Sequence, residues 1–460
     1  MALIKSISGI RGTIGGKPGE GLTPVDIIKF TAAYGSWLQK RFQSSALNVV
    51  VGRDARRSGS MVSSLIINTL SGLGINVTDL GLATTPTVEV AVTGSSSHGG
   101  IIVTASHNPE EWNALKLLNE NGEFLSAEDG NEVLDIAESD DYIFAGVDSI
   151  GSITQDDSWG NRHIEQILGL SLVDTAAIRS SGFTVAIDCV NSVGGIIIPQ
   201  LLRSLGVEKI IELNTEPNGR FAHNPEPLPQ NLEDISNLVK ETRADVGFVV
   251  DPDVDRLAII CEDGSMFGEE YTLVAVSDYV LKHTPGNTVS NMSSTRALKD
   301  VTEGYGYQYF SAAVGEVNVV EEMKKRMAVI GGEGNGGVIY PALHYGRDAL
   351  VGIALFLTHL ATSKMRCSDL RKLYPDYVIS KKKLSLSPDK EFSSILNELK
   401  SHFREYKTDE RDGLRIEHDH GWVQIRKSNT EPIIRIYAEG RTRDEADSLA
   451  DQIIEIVKKV

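Results

Sequence analysis

Asp251-Pro252-Asp253-Val254-Asp255-Arg256 places three carboxylates at alternate positions. Side chains so spaced can converge on one hard cation, whose charge offsets their mutual repulsion. Glu262 would stand at position twelve of an EF-hand loop, but Arg256 replaces the turn glycine of that loop. The flanking runs Gly247–Val250 and Leu257–Ile260 read as strands rather than helices, which excludes it. A solvated acidic turn is the competing reading. Apolar runs on both sides bring these charges to the edge of a buried sheet, and a counter-ion is expected there, Mg2+ by the hardness of the ligands.

A second segment, Thr104-Ala105-Ser106-His107-Asn108-Pro109, follows the apolar run Gly100–Val103. A Ser at the C-terminal end of a parallel strand sits where open α/β sheets bind ligands. No Gly-x-Ser-x-Gly surrounds Ser106, so it is not a nucleophile elbow. The plainer alternative is an ordinary strand-to-helix turn with Ser as its cap.

The third segment is Gly331-Gly332-Glu333-Gly334-Asn335-Gly336-Gly337. Gly332, Gly334 and Gly337 match the dinucleotide spacing, but Pro341 blocks the helix whose N-terminus would hold a pyrophosphate. Gly16-Lys17 is followed by Pro18, so there is no P-loop either. The glycines allow close approach of backbone to ligand, leaving Glu333 and Asn335 as partners suited to sugar hydroxyls. A flexible surface turn is the alternative. The fourth segment, Arg426-Lys427-Ser428-Asn429-Thr430-Glu431-Pro432, offers Arg, Ser, Asn and Thr side chains with consecutive N–H groups, a phosphate cradle. With Arg435 nearby it is a local positive site; a polar hairpin loop is the bland reading.

Stepping outward along the chain, strands are predicted at Leu47–Val51, Asn76–Leu80 and Gly100–Val103, with a helix at Ser60–Leu73. The pattern restarts with strands at Phe183–Val190, Lys209–Leu213 and Val246–Val250, and helices at Gly195–Leu205 and Leu232–Glu241. A third round has helices at Tyr271–His283, Val317–Arg326 and Asp348–Leu360, and a strand at Met327–Ile330. Strand–helix alternation implies mixed or parallel sheets covered by helices. The last part reads as antiparallel strands (Tyr377–Leu386, Gly413–His418, Trp422–Arg426, Ile433–Ala438) with helices at Lys390–Glu405 and Arg443–Val460. The expected architecture is α/β: three related mixed-sheet α/β domains plus a smaller C-terminal α+β domain around a central cleft. The domains are placed at 1–151, 152–256, 257–368 and 369–460.

The 460 residues carry 45 Lys plus Arg against 63 Asp plus Glu, a net charge of −18. Such a surface repels nucleic acid and anionic lipid, so neither is an expected partner. Cys189, Cys261 and Cys367 are widely spaced and odd in number, supporting no disulfide framework or zinc cluster. The N-terminus lacks a signal-peptide pattern and no apolar run has membrane-spanning length. A cytoplasmic location is expected.

A Ser, a metal loop, a sugar-like loop and a phosphate loop, one per unit, suit phosphoryl transfer on a sugar phosphate. The combination resembles the α-D-phosphohexomutase superfamily over essentially the whole chain. The resemblance rests on Ser8-Gly9-Ile10-Arg11-Gly12, Thr104–Pro109 with Lys116, Asp251–Arg256, Gly332–Gly337 and Arg426–Pro432. It implies that Ser106 carries a phosphate and, with Asp251, Asp253 and Asp255, ligates Mg2+. Arg11 and Arg256 would stabilise the transferring group, and Lys116 would transfer a proton, with His107 and His344 as alternates. Glu333 and Asn335 would read sugar hydroxyls, while Arg426, Ser428, Asn429, Thr430 and Arg435 hold the phosphate that is not reacting. The implied reaction interconverts hexose 6-phosphate and hexose 1-phosphate through a 1,6-bisphosphate, which is also the expected activator, in a monomer or homodimer.

Two departures bear on the sugar. Asn335 and Gly337 replace the Ser and His of many members, and Val314-Gly315-Glu316 has Glu where some phosphomannomutases have His. These forms are similar to archaeal-type phosphoglucosamine mutases, which points to glucosamine 6-phosphate as substrate. Phosphomannomutase or phosphoglucomutase activity is the enzymatic alternative. A phosphoserine hydrolase and a non-catalytic sugar-phosphate sensor are the others; a sensor has no need of a nucleophile.

Overall fold

The computed structural model describes residues 2–6, 9–43, 46–385, 391–419, 421–427 and 433–459. The chain divides into two compact units, one built from 1–272 and 336–370, the other from 273–335 and 371–460. Among the described residues no helix is long and apolar enough to cross a membrane.

The first unit contains two sheets. The larger has seven strands in the order Leu3–Ser6, Gly9–Thr13, Trp112–Leu118, Gly99–Val103, Asn48–Arg53, Asn76–Leu82 and Ile153–Gln155. Gly99–Val103, Asn48–Arg53 and Asn76–Leu82 run parallel, and their apolar runs are buried because helices cover both faces. The helix Pro24–Phe42 starts at a capping box: the Thr23 hydroxyl accepts from the Asp26 N–H, and the Asp26 carboxylate accepts from the Thr23 N–H. Its apolar stripe (Ile27, Phe30, Tyr34, Leu38) joins Ile66 and Leu70 of the helix Gly59–Gly72 in one core with Val49 and Ile101.

The segment after Thr104–Pro109 is the strand Trp112–Leu118, antiparallel to both Gly99–Val103 and Gly9–Thr13. The strand-to-helix turn considered from the sequence is therefore replaced by a strand-to-strand connection. Ile102 faces Lys116, and Arg11 faces Ala114 two residues away, so Arg11 and Lys116 project from the same face of the sheet.

In the second sheet the order is Leu257–Cys261, Val246–Val250, Thr184–Asp188, Lys209–Leu213. Val246–Val250 is parallel to Thr184–Asp188 and antiparallel to Leu257–Cys261, with Val250 opposite Leu257. The aspartate loop is thus the tip of a fully buried hairpin, and position 256/257 falls within that hairpin. The helix Ala349–Ser363, capped by Asp348, belongs to the same unit.

The second unit pairs Tyr309–Ala312 and Ala328–Glu333 in parallel with Asn287–Asn291 between them. It also holds an antiparallel sheet in the order Val378–Ser385, Ile433–Gly440, Gly421–Lys427, Leu414–His418, Thr408–Asp409. The helices Phe392–His402 and Arg443–Lys459 cover this sheet through Ile395, Leu399, Ala450 and Ile453.

Candidate active site

Ser106 is 4% exposed and has a left-handed backbone, φ 47°. A non-glycine residue holds that conformation only when its surroundings enforce it. Thr104 accepts from the Ser106 N–H at 2.9 Å and donates to Asp54 at 2.7 Å. Arg56, ion-paired to Asp54 at 3.0 Å with both side chains fully buried, donates to the carbonyls of Asn108 (2.7 Å), Pro109 (2.6 Å) and Trp112 (2.9 Å), and also to that of Ser106. One guanidinium therefore gathers four carbonyls of the connection. Arg11 donates to Asn108 Oδ1 at 3.0 Å. The Ser106 hydroxyl donates to Asp251 Oδ2 at 2.7 Å, and His107 Nδ1 lies 3.4 Å from Ser106 Oγ.

The aspartate loop is equally constrained. Val254, a β-branched residue, sits at φ 63° with its N–H on the Asp251 carbonyl at 3.1 Å. Asp251 Oδ1 accepts the N–H groups of Asp255 and Arg256, both at 3.2 Å. Asp253 accepts from Thr85 at 2.6 Å and Lys116 at 2.7 Å; Asp255 accepts from Arg347 at 2.7 Å and Lys116 at 3.4 Å. All three aspartates are 0% exposed, and one oxygen of each lies within 4.8 Å of the others.

Charge decides what such a site can hold. Burial, then repulsion from Asp255 and Asp253, pushes the Asp251 carboxyl well above the carboxylate range. Burial also works against an ionised Asp253, but the Lys116 ammonium overcomes it and holds that group low. Asp253 Oδ1 and Asp255 Oδ1 are buried with no hydrogen-bond donor among the described residues. Strained carboxylates with lone pairs facing inward fit a divalent cation.

Lys116 is opposed by burial yet raised by Asp253 and Asp255, so it is an ammonium here and a proton donor rather than an acceptor. His107 is held well below its usual range by burial and by Arg256 and Arg11, so its imidazole is neutral. Burial and Arg256 likewise lower Arg11. Arg11 and Arg256 thus repel one another near His107, an arrangement that an anion relieves. His344, an alternate for proton transfer, turns its ring nitrogens to Glu89 (3.4 Å) and Asp348 (3.3 Å) instead.

In the second unit, Glu333 ends the strand Ala328–Glu333 and is 4% exposed. It accepts from Asn291 at 2.7 Å and from the Gly315 N–H at 3.2 Å, with Asn335 Nδ2 at 3.5 Å. This brings together Val314-Gly315-Glu316 and the glycine loop, and presents Glu333 and Asn335 side by side. Arg426 and Arg435 are direct cross-strand partners, an unfavourable pairing of like charges unless an anion lies between them. Ser428, Asn429 and Thr430, like Ser8, lie outside the described residues. In the first unit, Gly336 at φ 90° packs on Leu257, where a Cβ would stand 2.5 Å from the Leu257 carbonyl oxygen.

Asp54, Arg56, Thr85 and Arg347 escaped the sequence reading. Gly52-Arg53-Asp54-Ala55-Arg56 at a strand end was the available signal, since buried arginines follow buried carboxylates. Thr85 and Arg347 had none.

The chain is similar to known proteins over nearly its whole length. Models described as "Phosphoglucomutase/phosphomannomutase, alpha/beta/alpha domain" I, II and III match residues 3–143, 161–264 and 268–377; the corresponding "C-terminal domain" model matches 388–456. A Thermococcus kodakarensis protein named "Phosphoglucomutase/phosphomannomutase" is 35% identical, covering 97% of this chain and 98% of its own. A Methanopyrus kandleri protein named "Probable phosphoglucosamine mutase" is 31% identical, covering 98% and 97%. The crystal structure of a phosphoglucomutase/phosphomannomutase family protein from Burkholderia thailandensis matches with TM-score 0.85 at 25% identity, over 99% of this chain and 97% of that one.

Proposed function

Since the chain belongs to the phosphoglucomutase/phosphomannomutase family of phosphohexomutases, we propose that it interconverts hexosamine 6-phosphate and 1-phosphate through a phosphorylated Ser106. The observation that carries the reading is the 2.7 Å contact of Ser106 Oγ with Asp251, inside a buried aspartate cluster. Phospho-Ser106 passes its phosphoryl group to the free hydroxyl of a sugar monophosphate, giving a 1,6-bisphosphate. The bisphosphate turns end for end and returns its other phosphoryl group to Ser106.

Asp251, Asp253 and Asp255, with an oxygen of phospho-Ser106, would hold Mg2+, which when bound neutralises charge on the transferring group. Arg11 and Arg256 stabilise the same charge from beside Ser106. Neutral His107, 3.4 Å from Ser106 Oγ, is an imidazole able to accept a proton, and Lys116 is the donor held ready by two aspartates. Glu333 and Asn335 bind sugar hydroxyls. Arg426, Arg435, Ser428, Asn429 and Thr430 hold the non-reacting phosphate without regard to sugar orientation. The enzyme works in the cytoplasm on small-molecule sugar phosphates, with a hexose 1,6-bisphosphate as activator.

Glucosamine 6-phosphate is the preferred sugar in this reading. Support comes from Asn335 and Gly337 in the glycine loop and from the name of the Methanopyrus relative. The name of the Thermococcus relative favours mannose or glucose phosphates instead. Coupled assays of the purified protein on the three 6-phosphates decide the matter: a kcat/KM for glucosamine 6-phosphate below either of the others ends the preference. Intact-mass measurement with localisation of the added phosphate tests the mechanism. Ser106→Ala should abolish turnover with the fold intact, and comparable turnover in that variant refutes the phosphoserine.

A further inference from the structure

Away from the aspartate loop, a second group of metal-type ligands is buried in the first unit. His163 comes from the helix Trp159–Leu168, Asp348 caps the helix Ala349–Ser363, and His344 precedes that cap by one helical turn in sequence. His163 Nε2 lies 3.0 Å and His344 Nε2 3.3 Å from the same oxygen, Asp348 Oδ2, and the three atoms are within 4.8 Å of one another. Asp348 Oδ1 is engaged separately, accepting the Leu350 and Val351 N–H groups at 2.8 and 3.3 Å. The arrangement leaves one carboxylate oxygen and two imidazole nitrogens converging on one point.

We propose that His163, His344 and Asp348 form a divalent-metal site of the Zn2+ type, separate from the aspartate loop. Three observations carry it. First, ligand atoms around tetrahedral Zn2+, bound at about 2.0–2.1 Å, stand about 3.3 Å apart, which the two measured N···O separations approach. Second, the outer nitrogens of both rings are already oriented. His163 Nδ1 is 3.1 Å from the Thr87 hydroxyl, and His344 Nδ1 is 3.4 Å from Glu89 Oε2, long for a hydrogen bond but within ion-pair range. A carboxylate behind a ligating imidazole is the usual outer partner of a metal-bound histidine. Gly346 admits that carboxylate, since a Cβ there would stand 1.8 Å from Glu89 Oε2.

Third, the group is buried: Glu89 and Asp348 are 1% and 0% exposed, and two carboxyl groups enclosed with two imidazoles suit a divalent ion. Imidazole and carboxylate donors favour Zn2+ or Co2+, whereas the all-oxygen aspartate loop suits Mg2+. His344, with 8% of its side chain exposed, is the point of entry. A bound ion would tie together the helices Thr85–Gly94, Trp159–Leu168 and Ala349–Ser363, the first of which delivers Thr85 to Asp253.

The test uses the full chain stripped of metal with chelator, then titrated with Co2+ in excess Mg2+. The wild type should take up one Co2+ that Mg2+ does not displace, with the intense visible absorption of tetrahedral nitrogen–oxygen coordination. His163→Gln and His163→Ala should lose that equivalent and that absorption. A thermal unfolding scan without metal checks that the variants are folded. Absence of a Mg2+-resistant equivalent in the wild type overturns the site whatever the variants do. Equal uptake by wild type and folded His163→Gln overturns it as well.

Discussion

Lys116 Nζ donates to Asp253 Oδ2 at 2.7 Å, so a buried ammonium is locked into the acidic loop. Replacing it with an isosteric apolar group, Lys116→Met, removes a proton donor and exposes the full charge of the aspartates. The expected result is a fall in kcat of roughly 10²–10⁴-fold together with tighter Mg2+ binding by calorimetric titration. A variant that loses activity and Mg2+ affinity alike would show Lys116 to be a structural prop.

Metal should stabilise the protein through the same loop. Saturating Mg2+ is expected to raise the unfolding temperature of the wild type, by an amount equivalent to about 2.7 kcal/mol at a hundredfold excess over Kd. Asp251→Asn removes the carboxyl that burial and its neighbours push up. That variant should be no less stable than wild type in chelator and should gain little from Mg2+. Thermal scans with and without Mg2+ read both effects, and an unchanged Mg2+ response in the variant contradicts the assignment.

Arg56 offers a contrast, because its removal leaves buried groups without partners. Arg56→Met strands the Asp54 carboxylate and the carbonyls of Ser106, Asn108, Pro109 and Trp112. A loss of about 3–5 kcal/mol is expected in urea unfolding, relieved in part by the double variant Asp54→Asn/Arg56→Met. No relief in the double variant would mean the carbonyls, not the carboxylate, dominate.

A pH effect is expected in the second unit. Glu439, fully buried, accepts the Arg296 N–H at 3.0 and 3.2 Å, yet burial still raises its carboxyl from 4.5 to about 7. A raised folded-state value means this group favours folding below pH 4.5, and that contribution is lost as pH rises through about 7. The difference is on the order of 3 kcal/mol. Glu439→Gln cannot ionise, so its stability relative to wild type should rise between pH 5 and pH 8. A flat difference over that range removes the titration from Glu439.

Much of this was legible because each loop lies between apolar runs that can only be buried. Val246–Val250 was read as a strand and is one, and Ser60–Leu73 differs from the observed helix Gly59–Gly72 by a single residue at each end. Trp112–Leu118 was not recognised, since Ala114, Leu115, Lys116, Leu117 and Leu118 show no alternation; both faces of that strand are covered. Arg56 and Arg347 were passed over for another reason. An arginine in a loop defaults to solvent, and only the tertiary structure supplies the four carbonyls of one and the Asp255 of the other.

The way Arg56 gathers the Ser106 connection has a mechanical consequence. A loop whose four carbonyls are gripped by one guanidinium, itself paired to Asp54, makes the Ser106 backbone a stator. In the two-stroke transfer proposed above, all rotation would then belong to the doubly phosphorylated sugar, and each release between strokes would risk its escape and leave a dephosphorylated serine.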